Sequence, residues 1–312
     1  MKNVKKFNEF VLEKKGISDI CIIYKNCIWK NMIDKLKDVE TSESFKKDNF
    51  KTIVNLSYDF SNPKFLVKNF MIELALNKNI NYSCGGLANV EYSMYDDGIL
   101  ISPKIVLNLS FKDLNKGYLN YVESVLLHEI IHVYQRYCQG DKNISSSWQL
   151  GSILPKLRNI IISDDVSNIL ELLYYSLEHE INSQLHQYFD MKMKNINYKD
   201  IFDIKKRLED FDYTKIVIDD EIIDELEQIR NHYYASLKYN KPNNMYIKNV
   251  SNIWKKEISI DNVYLFLEEL KQNFTNSIVY IEKKIKLIDN KISEIRYDNA
   301  SNYTKFNECI NI

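Results

Sequence analysis

Glycine, proline and histidine are all scarce in this chain. Seven glycines and four prolines in 312 residues leave few places where a helix must stop, which favours long helices over many short strands. No run of about eighteen apolar residues occurs, so no membrane span is expected. The opening "MKNVKKFNEFVLEKKG" is basic but has neither the apolar stretch nor the small-residue cleavage site of a signal peptide, and a cytoplasmic location is the expectation. A surplus of either charge is missing too: 42 lysines and arginines stand against 43 aspartates and glutamates. Without a basic cluster there is no electrostatic reason to expect a nucleic-acid partner or an anionic membrane surface. The five cysteines (Cys21, Cys27, Cys84, Cys138 and Cys309) are odd in number and form no C-x-x-C pair. They read as reduced thiols rather than as a disulfide framework or a zinc knuckle.

What is present is 45% hydrophobic and 27% charged residues, enough to bury a core in one large or two modest domains. The first 112 residues mix helix and strand. "WKNMIDKLKDV" predicts a helix, "KTIVNLSYDF" a strand, and "PKFLVKNFMIELALNKN" another helix opening at Pro63. "LANVEYSMYDDGILISPKIVLNLSF" reads as a hairpin with Asp97-Gly98 at its turn. Pro103 lacks the donor a central ladder needs, so the strand near residues 104 to 110 is expected at a sheet edge or bulge. "CQGDKNISSSWQLGS" reads as a loop, and one long helix is expected from about Asp165 to Met193, its start marked by "SDD".

Beyond residue 200 the pattern is helical only. Ile222, Leu226, Ile229, Tyr233 and Leu237 share one helix face, and Phe274, Ile278, Ile281, Ile285, Ile288, Ile292 and Ile295 keep a heptad-like spacing. Such stripes usually pack within one molecule. A coiled-coil dimer or a protein partner docked on these C-terminal helices is the alternative. The fold class expected is α+β, with a domain at residues 1–195 built from a small sheet and helices and an all-helical domain at 196–312.

The chemistry is concentrated in "VESVLLHEIIHVYQRY", residues 122–137, where two of only five histidines bracket a glutamate. At about 100° per residue, His128 and His132 differ by about 40° and project to one side of a helix. Glu129 lies about 100° round from His128, within reach of a water held between the imidazoles. Val122, Leu126, Ile130 and Val133 fall on roughly the opposite side, so an apolar back can be buried while the histidines face a cleft. H-E-x-x-H on a helix is a recognised metal-site pattern, in which the histidines bind zinc and the glutamate serves as general base. A catalytic zinc needs a third protein ligand and keeps one position open.

With a β-hairpin before it and "LEHEINSQLHQYF" on the helix that follows, "HEIIH" resembles the zincin metallopeptidases, and among them the gluzincins. The resemblance covers roughly residues 50–195 and rests on a short motif. The metzincin pattern H-x-x-G-x-x-H does not continue here, because Gln135 and Cys138 stand at its glycine and histidine positions. It implies a zincin-like first domain, a Zn2+ cofactor, and a glutamate on the second helix as third ligand. It also implies a peptide or protein substrate held in extended form along the edge strand. On the wheel of that helix His179 and His186 fall opposite the apolar stripe and are expected to face solvent. Glu178 and Glu180 border the stripe, and periodicity does not separate them. Glu180 shares its side with Ser176, Ser183 and Gln184, which makes it the preferred ligand and Glu178 the alternative. The plain reading, that both are ordinary surface carboxylates, stands beside these.

The function implied is a zinc metallopeptidase in which Glu129 takes a proton from the attacking water and passes it to the leaving amine. The competing class is a zincin-fold structural or binding protein, part of a larger assembly and without activity. No residue is singled out as the oxyanion donor.

Overall fold

The computed structural model describes residues 17–47, 49–60, 67, 69–79, 81–95, 98–139, 146–239 and 260–298. The chain is α+β: a mixed four-stranded sheet accompanied by helices. It divides into two compact units, residues 1–140 and 141–312. The helix carrying Glu178 and Glu180 is therefore grouped with the C-terminal helices, whereas the sequence reading set the boundary at 195/196. Among the described residues no helix is long and apolar enough to cross a membrane.

The first unit contains α1 (Ile17–Glu40), β1 (Lys51–Asp59), β2 (Asn69–Lys78), β3 (Ser83–Tyr95), β4 (Gly98–Phe111) and α2 (Lys116–Gln139). The sheet order is β1-β2-β4-β3. β1 and β2 are antiparallel, β2 and β4 parallel, and β3 and β4 form an antiparallel hairpin in which Tyr95 faces Gly98. Of the expected turn dipeptide, Gly98 opens β4 and Asp97 lies outside the described residues.

Two expectations are corrected here. Residues 69–78 form a strand, not a helix; Phe70, Ile72, Leu74 and Leu76 are buried in strict alternation, the period of a pleated strand with one face in the core. Pro63, where the helix was expected to open, lies outside the described residues. The second correction concerns residues 104–110, which form the centre of the sheet, while β3 and β1 are its edges. Pro103 is tolerated because β4 gains its second neighbour only from Lys104, which pairs with Met71; at Pro103 the pairing is with Val90 of β3 alone.

One sheet face carries the core. Phe70, Ile72, Leu74, Leu76, Ile105, Leu107, Leu109 and Phe111 meet Tyr24, Ile28, Met32 and Leu36 of α1 and Val122, Leu126, Ile130 and Val133 of α2. Tyr24 also ties α1 to the chain before β2, donating to the Val67 carbonyl at 2.8 Å and accepting from the Val67 N–H at 3.0 Å. α1 and α2 are joined by a buried ion pair, Lys25 Nζ to Glu123 Oε1 at 2.7 Å. Asn115 starts α2, its side chain accepting from the Tyr118 N–H at 2.9 Å.

The second unit contains α3 (Ser146–Leu157), α4 (Asp164–Tyr175), α5 (Glu178–Met193), α6 (Asp200–Glu209), a short 3-10 turn (Tyr213–Lys215), α7 (Asp220–Tyr239) and α8 (Ile260–Asp298). The "SDD" signal is used as expected: Ser163 accepts from the Val166 N–H, and Asp164 and Asp165 sit in the first turn. The single long helix, however, is broken. Leu177 is extended (φ −66°, ψ 135°) between α4 and α5, so the angular phase changes at residue 177. The expected loop at 138–152 is partly helical, since α3 begins at Ser146. In α8, Phe274, Ile281 and Ile292 are buried, and Ile278, Ile285 and Ile288 are partly buried against the unit's core. The stripe thus packs within the unit; the side chain of Ile295 lies outside the described residues. α8 also holds α5 directly, through Tyr188 Oη to Asp289 at 2.7 Å and Tyr280 Oη to Asn182 at 2.8 Å.

Candidate metal centre

The site begins with the packing of α2. Its apolar residues Val122, Leu126, Ile130 and Val133 are fully buried, which fixes the helix rotation and with it the direction of the other faces. His128 and His132, one turn apart, bring their Nε2 atoms to 2.8 Å of each other, with the rings at 88°. Both residues are buried. Two imidazole nitrogens this close cannot both present bare lone pairs to each other; a proton or a cation must lie between them. The Nδ1 of His132 lies 3.1 Å from Gln135 Oε1. An amide oxygen there selects the Nδ1–H tautomer and leaves Nε2 as the lone-pair donor, the form a metal-bound histidine takes. The pair fits a divalent first-row cation, and imidazole by itself does not select zinc among these.

Glu129 follows the helix round toward β3. The inner face of this edge strand is made of small residues, Cys84, Gly86 and Ala88, which lie across from Leu109, Leu107 and Ile105 of β4. Glu129, only 5% exposed, lies against this strip. Burial, with the Glu129 carboxylate adding to it, pushes the Cys84 thiol up to about 12. A thiol held neutral in this way is a poor nucleophile and a poor metal ligand.

The remaining predicted residues belong to the second unit. Glu180 is buried and Glu178 is exposed, both in the first turn of α5. His179 is 5% exposed, not solvent-facing as the helical wheel suggested, and His186 is half-buried. The break at Leu177 removes the phase on which that wheel relied, and α3 packs against the ring: Gly151 leaves room for it, since a Cβ there would fall 2.9 Å from Cε1 and 3.0 Å from Nε2 of His179. His179 Nε2 is 3.3 Å from Glu180 Oε1, a contact of the kind that orients a carboxylate for ligation. Ser183 instead donates to the His179 carbonyl at 3.0 Å, and Gln184 accepts from Tyr198.

The sequence pattern assigns no site role to Gln135 or Gly86, and the helical wheel turns His179 toward solvent. Gly86 alone carries a signal, because a glycine inside a strand suggests a close approach of something to the backbone. No protein-family model, curated protein or solved structure matches the chain.

Proposed function

We propose that this chain is a zinc-dependent hydrolase of the zincin type, gluzincin-like, which cleaves peptide bonds. The observation that carries the reading is the pair of converging imidazoles on α2 with Glu129 beside them, turned toward an edge strand. In this reading His128, His132 and Glu180 hold the metal. Glu180 is preferred to Glu178 because its carboxylate is buried and has His179 beside it. Zinc, when bound, supplies the Lewis acidity that brings a water toward ionisation near pH 7 and polarises a carbonyl.

The chain's own groups do the rest. Glu129 accepts the proton of the attacking water and returns it to the leaving nitrogen. Its seat in a buried strip keeps the carboxylate from being fully hydrated, which favours its action as a base. An extended substrate adds to the outer edge of β3, which has no paired strand among the described residues and against which Glu129 lies, rather than to residues 104–110, which already pair on both sides.

The test is metal analysis of the purified protein combined with peptide hydrolysis. One zinc per chain is expected, and Glu129→Gln should keep the metal while losing about 100- to 10,000-fold in kcat. A native chain without micromolar zinc affinity would refute the reading. Zinc binding with a cellular role intact in Glu129→Gln would favour the structural or binding class instead.

A further inference from the structure

Gly86 has no conformational need to be glycine. Its φ lies outside the left-handed region, and it sits in a regular antiparallel ladder opposite Leu107. In such a place alanine is ordinarily the better residue, because glycine gives up more chain entropy and packs nothing. The constraint is instead spatial. A Cβ built on Gly86 would fall 2.6 Å from Cγ and 2.7 Å from Cδ of Glu129, and closer still to Oε1. The neighbouring Gly85, on the other sheet face, meets nothing within 4 Å. The two adjacent glycines therefore differ: one borders open space and the other borders the carboxylate.

We infer that Gly86 is a positioning residue, whose missing side chain creates the seat in which Glu129 is held for proton transfer. This rests on the hydrolase reading for its catalytic part, whereas the seat itself is a matter of packing. Three atoms of the Glu129 side chain occupy the space of the absent methyl group. Restoring the methyl displaces the side chain from Cγ outward, not merely the end of the carboxylate. The two histidines, held by the other faces of α2, stay in place. Gly86→Ala should consequently separate metal binding from catalysis.

The experiment compares the full-length wild type, Gly86→Ala, Glu129→Ala and the double variant. Zinc content and affinity, steady-state hydrolysis and thermal midpoint are read for each. Gly86→Ala is expected to bind zinc as the wild type does, keep KM, and lose about 100-fold in kcat, the scale of a misplacement of about 1 Å. It should also lower Tm by about 3 °C. In the Glu129→Ala background the same substitution should leave Tm unchanged or raise it, since the methyl then fills vacated space. A Gly86→Ala variant with wild-type kcat and Tm overturns the inference, and so does a loss of Tm that persists with Glu129→Ala. Should the wild type bind zinc but hydrolyse nothing, the hydrolase reading fails, and the Tm comparison still decides whether Gly86 seats Glu129.

Discussion

Replacing Lys25 with methionine removes one partner of the ion pair that joins α1 to the helix bearing the motif. Lys25 is fully buried, Glu123 nearly so, and their atoms meet at 2.7 Å. Removing one member of such a pair leaves a buried charge without its counter-ion and typically costs about 3–5 kcal/mol. Replacing both with apolar residues of similar volume is often neutral or stabilising. Unfolding entropy near 60 °C is about 2.1 cal/mol/K per residue. If the 140-residue first unit melts alone, 4 kcal/mol lowers its Tm by about 14 °C. If all 312 residues melt together, the fall is about 6 °C. Scanning calorimetry on Lys25→Met should therefore show a drop in one of these two ranges, and its size also reports whether the units unfold together. The double variant Lys25→Met, Glu123→Leu should recover most of the loss. A single variant as stable as the wild type, or a double variant no better than the single, would refute the reasoning.

Three further outcomes follow from the site. Glu180→Gln should weaken zinc binding by at least about 10- to 100-fold, as loss of a ligand or its support does, while Glu178→Gln leaves it unchanged; competition with a chromogenic chelator measures both. Gly151→Ala should not bring the roughly 1 kcal/mol that alanine normally adds inside a helix, because the new methyl meets the His179 ring; in a His179→Ala background the gain should reappear in denaturant titrations. The Cys84 thiol, raised to about 12 by burial and by Glu129, keeps its proton in the folded state where an unfolded thiol near 8.5 has lost it. The unfolded state then binds fewer protons, so stability falls as pH rises from about 8.5 toward 12. Cys84→Ala should flatten this part of the curve, and identical slopes for the two proteins would exclude the effect.

The parts of the fold visible in the sequence were those set by a single period. The hairpin of β3 and β4 and the helices after residue 200 each follow one repeat strongly. At 69–78 two signals conflicted. Met71, Glu73, Leu74, Ala75 and Leu76 are good helix formers, yet Phe70, Ile72, Leu74 and Leu76 alternate, and pairing with β1 and β4 outweighs intrinsic preference. The break at Ser176 and Leu177 has neither glycine nor proline to announce it, and a wheel drawn through it placed His179 on the wrong side. Pro103 suggests a sheet edge or bulge, but β4 is central from Lys104 onward, and Pro103 itself pairs with β3 alone. In the site, the spacing of His128, Glu129 and His132 was legible because one helix carries all three. The closeness of Gly86 to Glu129 and of Gly151 to His179 was not, because each joins two elements distant in sequence.

The sheet order also has a temporal side. β4 is inserted between β2 and β3, so its parallel pairing with β2 joins residues such as Met71 and Lys104 and closes a loop of about thirty residues before any contact rewards it. The hairpin partner is close at hand; the parallel partner is not. α2 begins at Lys116, just after β4 ends at Phe111, and packs on the face which that insertion completes. The helix itself spaces His128, Glu129 and His132, whereas the packing of α2 on the sheet is expected from contact order to follow this non-local pairing. A nascent or partly refolded chain would carry the motif in its sequence well before it carried the site.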